Sequence, residues 1–129
     1  MHSQDPATPS VRALVIDDDR DLLHLIQRTL EFTAGWQVQT ARSGAVGIEL
    51  ARATPPDVIL VDLMMPGMDG YEVCQRLKSD PATANVPVVL LTARRDLDEA
   101  RLAEAGAAGV LFKPFQPDRL AAQVREFCP

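Results

Sequence analysis

Five short runs of β-branched and aliphatic residues, each followed by a stretch with helical spacing, constrain this chain more than any other feature. Residues 11–16 form the first such run, and 19–33 then carry Leu22, Leu23, Ile26 and Leu30 at intervals of three and four. A second strand is predicted over 36–41, and Ser43 is placed to cap a helix running to Ala53. Residues 57–61 are almost continuously apolar, as a strand covered on both faces must be. A helix over 69–79 turns Val73, Cys74 and Leu77 inward, and 80–85 reads as a loop.

The fourth strand is predicted over 86–91, with Pro87 tolerated near its start. Leu97, Ala100 and Ala103 mark the inner face of the next helix, which Gly106 ends. Residues 109–112 make the fifth strand. Pro117 opens a last helix, accounting for 116–128, with Leu120, Val124, Phe127 and Cys128 as its apolar stripe. Five βα units in 129 residues imply one α/β domain: a parallel sheet with helices on both faces, joined by right-handed crossovers.

Composition narrows the function. A formal net charge of −5, with Lys78 and Lys113 the only lysines and no basic stripe beyond the pair Arg94–Arg95, argues against direct nucleic-acid binding. No apolar run approaches a membrane span, and the opening MHSQDPATPS is not a secretion signal. It reads as a flexible leader over 1–10, ahead of a domain over 11–129. Cys74 and Cys128 have no metal-ligand or CxxC spacing, which suits reduced thiols in the cytoplasm.

Ligands of open α/β sheets sit beyond the carboxyl ends of the strands. The first strand runs into Asp17-Asp18-Asp19, the third into Asp62, the fourth into Thr92-Ala93 and the fifth into Lys113-Pro114. Clustered carboxylates are relieved by protonation or by a divalent cation, and Mg²⁺ is content with a few oxygen ligands and several waters. A lysine opposite the metal completes a two-sided cradle for a phosphoryl group, and a carboxylate can itself be the nucleophile. Each residue also has a plainer use. Asp17, Asp18 and Asp19 can cap the first helix, a role assigned to Asp19. Asp62 can open the turn completed by Pro66-Gly67, Thr92 can bond to backbone, and Lys113 can be a solvated surface lysine. The coincidence of four strand ends favours the joint reading.

The segments ALVIDDDRDLL, DVILVDLMMPGMDGYEVCQRLK, VPVVLLTA and GAAGVLFKPF resemble the receiver domains of two-component signalling, over residues 11 to 128. The resemblance implies a flavodoxin-like (βα)5 fold with strand order 2-1-3-4-5. It implies a phosphorylation switch, not a turnover enzyme, with Asp62 as phosphoacceptor. Asp18, Asp62 and the Met64 carbonyl would ligate Mg²⁺ or Mn²⁺, with Asp17 acting through water. Met64, Thr92, Ala93 and Lys113 would surround the phosphoryl oxygens, and the Lys113–Pro114 bond would be cis.

The donor would be a histidine kinase or phosphotransfer protein docking on the first helix, and the target a protein or effector domain. The fourth helix, fifth strand and fifth helix would form the output or dimer face. With the last helix ending at 128, the resemblance suits a stand-alone receiver or one excised from a longer regulator. Its switch position three before the lysine, aromatic in many receivers, is Val110 here, with Phe112 adjoining the lysine. Met64 and Arg94 occupy the positions flanking the attacking water, so Met64 should shield the phosphate and Arg94 pair with it.

Two rivals remain: a degenerate receiver that binds partners regardless of phosphate, and a haloacid-dehalogenase-like phosphohydrolase. The latter would need a DxDx[TV] first strand, whereas Asp21 stands at its fifth place. Tyr71 reads as a half-buried filler, Met65 as packing behind the metal site, His24 as solvent-facing, and Trp36 as without a chemical role.

Overall fold

The computed structural model describes residues 10–129, so most of the predicted leader lies outside the described residues. Ser10, its last residue, donates its hydroxyl to the Gly35 carbonyl at 2.8 Å and so belongs with the folded domain. The elements alternate without exception: β1 (Arg12–Ile16), α1 (Arg20–Ala34), β2 (Gln37–Ala41), α2 (Gly44–Ala53), β3 (Val58–Asp62), α3 (Gly70–Ser79), β4 (Val88–Thr92), α4 (Glu99–Ala105), β5 (Gly109–Phe112) and α5 (Pro117–Arg125). All strand pairs are parallel, and their order is β2-β1-β3-β4-β5. This is the flavodoxin-like order.

The two-residue period of a strand divides the core into two layers. Leu14, Ile16, Ile59, Val61, Val88 and Leu90 meet α2, α3 and α4, whereas Ala13, Val15, Val58, Leu60, Val89 and Leu91 meet α1 and α5. β3 and β4 are buried along their whole length. Each fully buried Leu or Ile contributes about 1.5–3 kcal/mol relative to exposure.

Helix starts follow the sequence signals. Asp19, Ser43, Asp69 and Asp98 all accept backbone N–H bonds as N-caps, and Gly35 and Gly106 end α1 and α4 in the left-handed conformation. In the first turn of α3, Gly70 serves close approach: an added Cβ would lie 2.7 Å from the Asp62 carbonyl oxygen and 2.8 Å from the Leu63 Cα.

Four local expectations need correction. β4 begins at Val88, because Val86 instead donates its N–H to the Thr83 carbonyl in a turn. Leu102 and Ala105 are the inward residues of α4, whereas Ala100 and Ala103 are exposed. α5 ends at Arg125, and Phe127 and Cys128 pack from the turn beyond it, the Phe127 ring filling the space that Gly109 leaves open. Tyr71 is buried, not half-buried.

Candidate functional site

Three backbone bonds hold the strand ends level at the carboxyl edge. Asp17 N–H donates to the Ala41 carbonyl at 3.0 Å, Leu63 N–H to Leu91 at 2.8 Å, and Lys113 N–H to Thr92 at 2.8 Å. Asp17 and Asp62 therefore leave neighbouring strands side by side, both buried. Asp18, one residue on, remains more open, and one carboxylate oxygen from each of Asp17, Asp18 and Asp62 falls within a 4.8 Å cluster. Asp19 and Asp21 stand apart, as the cap and the first turn of α1.

Lys113 reaches in from β5. Its Nζ donates to Asp17 Oδ2 at 3.2 Å and to Asp62 Oδ1 at 3.1 Å. Three carboxylates against one ammonium leave two formal negative charges, the complement of a divalent cation. Burial, then the charge of Asp17, raises the Asp62 pKa above the ordinary carboxylate value, against the pull of Lys113 and the Met64 backbone. Burial works to lower the Lys113 pKa, but its bond to Asp62 and the charges of both aspartates prevail and raise it. The cluster thus holds a firmly charged lysine and a carboxylate that gains from any added cation.

Thr92, at the end of β4, is buried, and its Oγ1 accepts the Arg94 backbone N–H at 3.0 Å. That bond uses a lone pair and leaves the hydroxyl proton free for another acceptor. The Lys113–Pro114 bond is cis. Met64 is exposed beside Asp62, and Met65 packs into the core on the α2–α4 side.

The sequence profile of the response regulator receiver domain matches residues 13–125. The chain belongs to the response regulator receiver family. Over 115 residues it is 44% identical to the DNA-binding dual master transcriptional regulator RpaA of Synechocystis, covering 88% of this chain and 47% of that protein. Over 117 residues it is 42% identical to the response regulator PleD of Caulobacter vibrioides, covering 90% of this chain and 26% of PleD. Both relatives are thus more than twice as long as the stretch this receiver matches. Among solved structures, chemotaxis protein CheY4 of Vibrio cholerae superposes with a TM-score of 0.87 at 28% identity, covering 92% of this chain and 99% of that one.

Arg94 and Val110 lie near the site's edge. The Arg94 guanidinium forms a two-pronged pair with Asp96, at 3.2 and 2.8 Å, in solvent. Val110 is partly buried against the α2–α4 layer. Four further contacts are not announced by the sequence. Arg95 lies over the Phe112 ring at 4.2 Å, and Arg101 of α4 lies over the Tyr71 ring at 4.4 Å while donating to Asp69 Oδ2 at 3.1 Å. Arg42 donates to the Asp18 carbonyl at 3.4 Å. Helical spacing carries no signal for such pairings; the one hint in the sequence is the adjacency of Arg94 and Arg95.

Among the described residues, no helix is long and apolar enough to cross a membrane.

Proposed function

We propose that this receiver is a Mg²⁺-dependent phosphorylation switch in which Asp62 takes a phosphoryl group from a histidine kinase or phosphotransfer protein. The observation that carries the reading is the Asp62 carboxylate, set within the Asp17–Asp18 cluster and bonded by Lys113 at 3.1 Å. An Asp62 oxygen attacks phosphorus as the bond to the donor's imidazole nitrogen breaks, and that nitrogen recovers the electron pair. Asp18, Asp62 and the Met64 carbonyl would hold the cation directly, and Asp17 through water. When bound, Mg²⁺ supplies positive charge to the phosphoryl oxygens on the face opposite Lys113.

Lys113 trades its contact with Asp62 for a phosphoryl oxygen, keeping Asp17 as its second partner. Thr92 donates its free hydroxyl proton to another oxygen, and the Ala93 backbone completes the set. The donor docks on α1, beside an apolar groove of about 250 Å³ lined by Leu22, Leu25, Ile26, Pro114, Phe115 and Leu120. Leu25 and Phe32 are exposed on that helix. Output runs through α4, β5 and α5 to a protein target, an effector domain or a second copy. The domain acts in the cytoplasm, in keeping with the free thiols Cys74 and Cys128, and it catalyses only its own phosphorylation and hydrolysis.

The test is intact mass after incubation with acetyl phosphate and Mg²⁺. One added phosphoryl group is expected, lost with EDTA and in Asp62→Asn. A chain that gains none and also fails to bind beryllofluoride with Mg²⁺ is not a phosphorylation switch.

A further inference from the structure

The segment between β4 and α4, residues 93–98, leaves the site directly after Thr92, and two arginine–aromatic contacts hold its ends. Arg95 stacks on Phe112 at the near end, and Arg101, in the first turn of α4 beyond it, stacks on Tyr71 and pairs with Asp69. The near contact is the more telling, because of where Phe112 sits. It is the cross-strand partner of Thr92 and the chain neighbour of Lys113, so it adjoins both phosphate-binding candidates. By strand alternation it shares a sheet face with Val110, two residues back, which packs toward α3 and α4. A guanidinium 4.2 Å above a ring centroid is within the range of cation–π attraction.

We propose that the Arg95–Phe112 stack restrains the loop after Thr92 in this receiver's resting state. The inference rests on the phosphorylation switch proposed above. In the resting arrangement, Thr92 Oγ1 is held by the Arg94 N–H, and the next residue is pinned to β5. Drawing Thr92 toward a phosphoryl group on Asp62 pulls on the residues that follow it, through the Arg94 N–H bond to Oγ1, and a loop fastened to Phe112 resists. The stack therefore opposes recruitment of Thr92, and its loss shifts the balance toward the phosphorylated form.

The experiment uses the full chain, Arg95→Met, Phe112→Leu and the double variant. Arg95→Met keeps the apolar stem and touches no phosphate ligand. Two readouts are needed: amide hydrogen exchange over 93–98 without ligand, and the affinity for beryllofluoride with Mg²⁺. An exposed stack of this kind predicts about two- to fivefold faster loop exchange and about two- to fivefold tighter beryllofluoride binding in each single variant. The double variant should show no more than the larger single effect, because both substitutions break one contact. Unchanged loop exchange refutes the restraint outright. Unchanged affinity in the single variants, with wild-type binding abolished by Asp62→Asn, refutes its role in switching and leaves the site reading standing. A wild type that binds no beryllofluoride overturns the site reading and the regulatory claim with it.

Discussion

Gly70→Ala offers a direct test of how tightly β3, which ends at Asp62, is gripped by the helix that follows it. The added methyl would sit 2.7 Å from the Asp62 carbonyl oxygen, 2.8 Å from the Leu63 Cα and 3.2 Å from the Asp62 carbonyl carbon, all backbone atoms. Backbone cannot rotate away, so β3 or α3 has to shift. Overpacking of this kind costs about 1–3 kcal/mol. Alanine returns about 0.5–1 kcal/mol through helix propensity, leaving a net loss of up to about 2.5 kcal/mol.

Gly44→Ala is the matched control. Gly44 also opens a helix, so the propensity gain is shared, but its methyl would meet side-chain atoms, Val73 Cγ2 at 2.6 Å and Met68 Sδ at 3.1 Å. Those atoms can yield, and the loss should be smaller by about 1 kcal/mol. Urea unfolding of both variants, read by circular dichroism, measures the difference, and acetyl phosphate labelling should be slowed in Gly70→Ala alone. If Gly70→Ala is as stable as Gly44→Ala and labels at the wild-type rate, the close approach does not govern the site.

The Asp62 pKa is raised in the fold, so its stabilising contribution is full at pH below its unfolded value and is lost as pH climbs through the raised folded value. At neutral pH the ionised carboxylate therefore costs stability, and metal-free Asp62→Asn should melt higher than wild type, with the gap vanishing on acidification. An equal or lower melting temperature at pH 7 would show that Lys113 already offsets the cost. Thr83→Val should lose about 1–2 kcal/mol in urea unfolding, since the buried hydroxyl bonds the Leu77 carbonyl at 2.6 Å. A neutral result would mean that the carbonyl finds another donor. Met64→Asn should shorten the aspartyl-phosphate lifetime, followed by mass after donor removal; an unchanged or longer lifetime removes Met64 as a shield.

The fold is legible because the βα units repeat one code: an apolar run, buried on both faces in β3 and β4, then a helix start with a capping side chain in four of the five units, an amphipathic stretch and a glycine or loop. The site is legible for a related reason. Parallel strands all end on one edge, so the residues after each strand meet whatever the detailed packing, and Asp17, Asp18, Asp62 and Lys113 can be gathered without coordinates. The errors fall where that logic stops. α4 is only seven residues long, and its alanine-rich pattern allows more than one inward stripe; packing against α3 selects Leu102 and Ala105. Pattern alone starts β4 two residues too early because Val86 is apolar and buried, yet Pro87 has no N–H for the ladder and Thr83 takes the Val86 amide in a turn.

Arginine is where periodic reasoning fails most. Arg94, Arg95 and Arg101 lie within eight positions, and sequence periodicity does not say what each of them touches. The fold gives each a separate partner. Arg94 is committed to Asp96, Arg95 covers Phe112, and Arg101 fastens α4 to Tyr71 and to the cap of α3. The cause is geometric. A long side chain can reach any of several elements, and its partner is set by helix placement that no local pattern encodes. These three choices fall on the segment between the Thr92 end of β4 and the first turn of α4. The part of this receiver least legible in sequence is thus the segment that joins β4 to α4, while the gathering of Asp17, Asp18, Asp62 and Lys113 at the strand ends is nearly spelled out.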